Sequence, residues 1–221
     1  MHCDHLPFSR NAEQTMGMPA VQTDPTPHRG WTTAQVRDLI DESRAWPRYE
    51  LIDGELIVTP APGTPHQFAA FEIAFTIRPY LDGEDAGAVL LSPADLELEP
   101  GTITQPDVFV TSRRIEGNTD ELPSWADIKS LSLAVEIISP SSVRVDRIIK
   151  RDFYLDAGVP EYWVVDLDAR IVERWTTARE TPEVMRTSLE WKPEGANSPL
   201  TINLVELFDR IWKQYRKLQG R

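Results

Sequence analysis

Residues 133–166 constrain the fold more than any other stretch. "LAVEII" is apolar apart from Glu136, the pattern of a strand covered on both faces in a mixed or parallel sheet. Val145, Ile149, Phe153 and Ala157 then recur at helical spacing, and Gly158 followed by Pro160 supplies a stop. "EYWVVD" reads as a second strand. Strand, helix and strand in so short a length make a crossover, whose two strands run parallel with a right-handed connection. The expected class is therefore mixed α/β, with a central mixed sheet flanked by helices. Glu136 is the anomaly, because an ionised side chain inside a buried strand is costly unless something compensates it.

The flanking segments supply further elements. "WTTAQVRDLIDES" predicts a helix capped at Thr32 or Thr33, with Val36, Leu39 and Ile40 on one face. "YELIDGELIVTP" predicts a hairpin around Asp53-Gly54, the strongest short hairpin signal. A two-residue turn sets Ile52 opposite Glu55 and Glu50 opposite Ile57, so Glu50 and Glu55 project from the same sheet face. "TPHQFAAFEIAF" predicts a helix with a capping box from Thr64 to Gln67, Pro65 in the first turn, and Phe68, Phe71 and Phe75 in the core. "AVLLSPADLELEPGTITQPDVFVTS" adds two or three short strands with a turn at Pro100-Gly101, and Asp107 shares a face with Phe109. "IVERWTT" and a segment around "VMRTSLEW" add strands, and an amphipathic C-terminal helix turns Leu204, Leu207, Phe208, Ile211 and Trp212 inward.

Residues 30–221 are long enough for a single domain, and residues 1–29 lack hydrophobic periodicity and read as a flexible extension. His2, Cys3, Asp4 and His5 cluster there, but no second half-site at zinc-like spacing follows. No apolar run reaches the roughly 18 residues of a membrane span, and the first residues carry no apolar signal block, so a cytoplasmic protein with no membrane partner is expected. A formal net charge of -12 argues against a broad non-specific nucleic-acid surface. The sign reverses locally in "VRVDRIIKR", where Arg144, Arg147, Lys150 and Arg151 stand against Asp146. That stretch is either a solvated helix face or a local phosphate contact.

Asp107 and Glu136 stand inside apolar strands, and the hairpin offers Glu50 and Glu55. Grouped carboxylates raise one another's pKa and are tolerated chiefly around a cation. Hard oxygen donors in small number suit magnesium or manganese, which can polarise a phosphoryl oxygen and activate a water. Asp146, Lys150 and Tyr154 lie at i, i+4 and i+8, on a stripe offset from Ile149 and Phe153. Facing the strand ends, Lys150 would meet developing phosphoryl charge; facing solvent, it is an ordinary pair with Asp146.

"QPDVFV", followed 29 residues after Asp107 by "VEIIS", resembles the PD-(D/E)xK nuclease superfamily. More closely, the ordered series "YELIDGEL", "TPAPGTPHQ", "QPDVFV", "LAVEIISPSSVRVDR", the following lysine and tyrosine, and "AGVPEYWVVD" is similar to the Uma-two family of restriction-endonuclease-like proteins, over roughly Tyr49 to Trp175. The resemblance implies a restriction-endonuclease-like fold and a metal-dependent endonuclease acting on DNA. It implies Asp107 and Glu136 as ligands of Mg2+ or Mn2+, with Glu50 or Glu55 beside them. One departure from the superfamily is plain, since Ile138 and not lysine stands two residues after Glu136. The family pattern places Lys150 in that role from the next helix. His66 matches the family's "sPspxH" histidine, as a site residue or as a packing residue at a helix start. The competing reading is a catalytically silent nuclease-fold module, in which Trp175, Trp191 and Trp212 furnish a surface for protein or nucleic-acid partners or for a homo-oligomer. Hydrolysis of a smaller phosphate ester is a third.

Overall fold

The computed structural model describes residues 30–43, 46–111 and 124–220, so the extension at 1–29 with its His2 to His5 cluster lies outside the described residues. Helix α1 (Thr33–Glu42) starts at Thr32, whose hydroxyl accepts from the Gln35 amide while the Gln35 side chain accepts from the Thr32 amide. Strands β1 (Arg48–Ile52) and β2 (Glu55–Thr59) form the expected hairpin, with Ile52 opposite Glu55 and Glu50 opposite Ile57. Asp53 and Gly54 have φ of +52° and +77°, the left-handed pair that a two-residue hairpin turn requires.

Helix α2 (Thr64–Glu84) corrects two expectations. Thr64 is the first helical residue, the cap is Gly63 without a side-chain bond, and no capping box forms. Phe71 and Phe75 are 57% and 62% exposed and stack on each other at 6.0 Å, while Ala69, Ala70, Ile73, Ile77 and Leu81 face the core. That stripe runs the length of the helix, whereas the phenylalanine stripe meets the charged Arg78 and Asp82 one and two turns on. Rotation also brings buried Glu72 under Arg210, whose Nε donates to its carboxylate at 2.9 Å.

Strands β3 (Ala88–Leu91), β4 (Val108–Thr111), β5 (Leu131–Ile137), β6 (Tyr162–Asp166), β7 (Ile171–Trp175) and β8 (Glu183–Met185) form a sheet in that order. β5 and β6 are parallel and the other pairs antiparallel, so the sheet is mixed as expected. The crossover between them contains a π-wound stretch, Val145–Lys150, running into helix α3 (Arg151–Asp156). "VMRTSLEW" is not one strand: β8 ends at Met185, and β9 (Ser188–Trp191) pairs with β10 (Leu200–Asn203) in a separate hairpin. Helix α4 (Leu204–Leu218) closes the chain with Leu204, Leu207, Phe208 and Ile211 buried and Trp212 half-buried.

Alternation along the strands builds two cores. Val108, Val110, Leu133, Val135 and Ile137 face α2, α4 and the β9–β10 hairpin. Phe109, Ala134, Tyr162 and Val164 face the opposite way, onto Phe153 and Tyr154 of α3 and Ile52 and Ile57 of the first hairpin. Trp175 and Trp191 belong to these cores at 8% and 1% exposure, which removes them as an interaction surface. Among the described residues, no helix is long and apolar enough to cross a membrane.

Candidate functional site

Glu136 follows Ala134 by two residues and therefore points to the side covered by α3 and the first hairpin. The cross-over helix answers it with charge. Asp146, Lys150 and Tyr154 are 3%, 4% and 0% exposed, whereas Val145 and Ile149 are only half-buried, so the polar stripe lies innermost. The π-type winding, which widens a helical turn and shifts side-chain phase, occupies the residues that carry Asp146 and Lys150.

Lys150 Nζ lies 3.0 Å from Glu136 Oε1, 2.8 Å from Glu50 Oε2 and 3.9 Å from Asp146 Oδ1. Glu50 is fixed in turn by the Gln105 amide, which donates to its Oε1 at 2.8 Å. Tyr154 O–H donates to Glu136 at 3.4 Å, a long bond. Asp107, one residue before β4, accepts from the Ile137 amide at 2.9 Å, from Arg48 at 3.2 Å and from His66 Nε2 at 2.9 Å. An ionised carboxylate only accepts, so the His66 proton is on Nε2.

The electrostatics separate the acids. Burial pushes Asp107 up, but the His66 bond, the Lys150 charge and the Ile137 amide outweigh it and hold the carboxyl below its ordinary value. Burial lifts Glu136 well above the carboxylate range; Lys150 opposes this, and Asp107, Asp146 and Glu50 add to it. Asp146 is pushed up to about 6 by burial, again against Lys150. Burial alone would lower Lys150, but Glu136, Glu50 and Asp146 hold it well above its ordinary value, so it stays an ammonium. Glu50, Asp107, Glu136 and Asp146 thus outnumber the two fixed cations touching them, Lys150 and Arg48.

Asp107, Glu136, Lys150, Glu50 and His66 all line one cavity of about 510 Å³. Glu55 does not: it shares the hairpin face with Glu50 but sits beside the turn, exposed. The basic stretch does not form a cationic face. Lys150 is buried among acids, Arg147 is paired with Asp166 and Glu173, and Arg151 pairs with Asp152 and lies over the Trp175 ring. Sequence reasoning missed Arg48 and Trp46, although alternation from Glu50 back through the hairpin was the available signal.

A hard cation fits the chemistry of the donors, because carboxyl oxygens dominate. Among the described residues no three His, Cys, Asp or Glu side chains converge as a metal-holding group.

The acids and the lysine thus meet at the strand ends of a mixed sheet with one parallel crossover pair. The chain belongs to the Uma2 family, described as "Putative restriction endonuclease", whose family model matches residues 34–205. It is similar in fold to a crystal structure from Anabaena variabilis described as a "putative nuclease belonging to DUF820", at 21% identity and a TM-score of 0.65, covering 80% of this chain and 98% of that one. No protein of curated function matches the sequence.

Proposed function

We propose that this chain is a metal-dependent endonuclease that hydrolyses phosphodiester bonds of DNA. Family membership supports nuclease chemistry, and one observation carries the finer reading: Asp107, Glu136 and Lys150 meet on the wall of a single cavity although the lysine comes from the crossover helix. Asp107 and Glu136 would hold Mg2+ or Mn2+, which when bound supplies Lewis-acid polarisation of the phosphoryl oxygen and a more acidic water. Lys150 cannot act as the base, because it is held protonated; its ammonium orients the water or stabilises charge growing on phosphorus. Glu50 keeps that ammonium in place. His66 and the Ile137 amide fix the Asp107 carboxylate, so that its orientation does not depend on substrate.

The test is conversion of supercoiled plasmid to nicked circles in Mg2+ or Mn2+ by wild type, Asp107→Asn, Glu136→Gln and Lys150→Ala. Activity in wild type and a loss of at least about 100-fold in each variant is expected. Activity that survives Asp107→Asn and Glu136→Gln contradicts the assignment. A specific observation favours a second reading, a silent binding module: Arg48, His66, Lys150 and the Ile137 amide already compensate the acids without a metal. Wild type that binds DNA and never nicks it would favour that module.

A further inference from the structure

Resting on the nuclease reading, we infer that Trp46 and Arg48 form a nucleotide clamp at the mouth of the cavity, and that the site takes an unpaired nucleotide of a DNA strand in preference to an intact duplex. Three observations carry this. Trp46 lines the cavity at its rim with 38% of its surface exposed, and the Arg48 guanidinium lies 4.7 Å from its ring centroid. An exposed indole beside a guanidinium is what stacks a base and holds its phosphate. Next, the Arg48 side chain is only 10% exposed, yet its buried Nε has no hydrogen-bond partner. A buried donor without an acceptor is unfavourable, and a phosphate oxygen entering the cavity supplies the acceptor. Arg147 and Lys150 also line the cavity, but each is already held by two carboxylates.

The third observation is shape and character. The remaining wall is largely apolar, with Pro60, Ala61, Pro62, Pro65 and Trp212, and the volume of about 510 Å³ suits one small molecule. A duplex presents its phosphates outward and hides its bases, so it would find no partner for the indole. An unpaired nucleotide offers a base to the apolar wall and Trp46, and a phosphate to Arg48. The strand then runs inward toward Asp107, to which Arg48 is already tied at 3.2 Å.

The experiment is fluorescence anisotropy with the full chain in EDTA, using a labelled thymidine oligonucleotide and a labelled blunt-ended duplex, for wild type, Trp46→Ala and Trp46→Phe. Wild type is expected to bind the single strand about tenfold tighter than the duplex, Trp46→Ala to lose about tenfold or more for the single strand, and Trp46→Phe to recover most of it. Equal or tighter binding of the duplex, unchanged binding by Trp46→Ala, or no binding of either DNA overturns the clamp. Cleavage is read separately in Mg2+. A single-strand preference lost in Trp46→Ala with no cleavage of any DNA keeps the clamp and removes the nuclease reading. Plasmid nicking that is indifferent to Trp46→Ala does the reverse.

Discussion

Lys150 is a buried cation surrounded by carboxyls. At 4% exposure it lies among Glu50, Glu136 and Asp146, so removing its charge strands carboxyls where water cannot reach them. Lys150→Ala should destabilise the protein by about 3–5 kcal/mol near neutral pH, read from urea midpoints, and by less in acid as the carboxyls neutralise. Loss within about 0.5 kcal/mol would mean that the ammonium does not compensate the acids. Asp146 gives a pH signature of the opposite kind to a salt-bridged acid. Its folded pKa of about 6 lies above the ordinary 3.8, so the native state binds its proton more readily than the unfolded state does. The associated stability is present below the unfolded value and is lost as pH climbs to about 6. Between about pH 4 and about pH 7, metal-free wild type should therefore lose on the order of 3 kcal/mol relative to Asp146→Asn. Parallel pH profiles for the two proteins would contradict it.

At the scale of elements, backbone constraints are sharpest where α2 hands over to β3. Gly87 has φ +125°, and a Cβ there would stand 2.2 Å from the Thr111 carbonyl oxygen of β4. Gly87→Ala should cost about 3 kcal/mol or more, whereas Gly83→Ala, in the last turn of α2 with nothing within 4 Å, should be neutral or stabilise by up to about 1 kcal/mol. Thermal melts of the two variants check the contrast, and equal melting temperatures would refute it. Much at this scale was legible in the sequence. Asp53-Gly54 specified the first hairpin to its register, and the apolar run at "LAVEII" with the Gly158 stop specified the crossover. What was not legible came from competition between patterns. Two stripes of α2 begin apolar, and packing on the sheet and α4 selects Ile73, Ile77 and Leu81 over Phe71 and Phe75, whose stripe runs on into Arg78 and Asp82. In the crossover helix the apolar stripe seemed the inner one by periodicity, yet Asp146 and Lys150 are inside because Glu136 and Glu50 need a cation. Alternation placed Glu50 and Glu55 on one face but carries no information on which end of the hairpin reaches the sheet.

For the whole molecule, charge and layering set how DNA can approach. The chain carries a net charge of -12, and Arg147, Lys150 and Arg151 of the crossover stretch are tied to acids. Binding should therefore depend weakly on salt, with log Kd against log salt having a slope of about 2 or less, as for one or two phosphate contacts. A slope of about 5 or more, measured by anisotropy across a salt series, would reveal a phosphate track elsewhere on the surface. The site lies at the strand ends, where the first hairpin and the crossover helix meet the start of α2 and Trp212 of α4. Stability and chemistry then meet in one cluster of acids.

That cluster's affinity for a divalent cation is the central claim. Calorimetric titration of Mg2+ and Mn2+ into wild type, Asp107→Asn and Glu136→Gln tests it directly. The expected result is saturable binding at a single site in wild type, weakened by about tenfold or more in each variant, with protons released as Glu136 and Asp146 ionise. Binding of equal affinity in all three proteins, or no saturable binding to wild type, would contradict it.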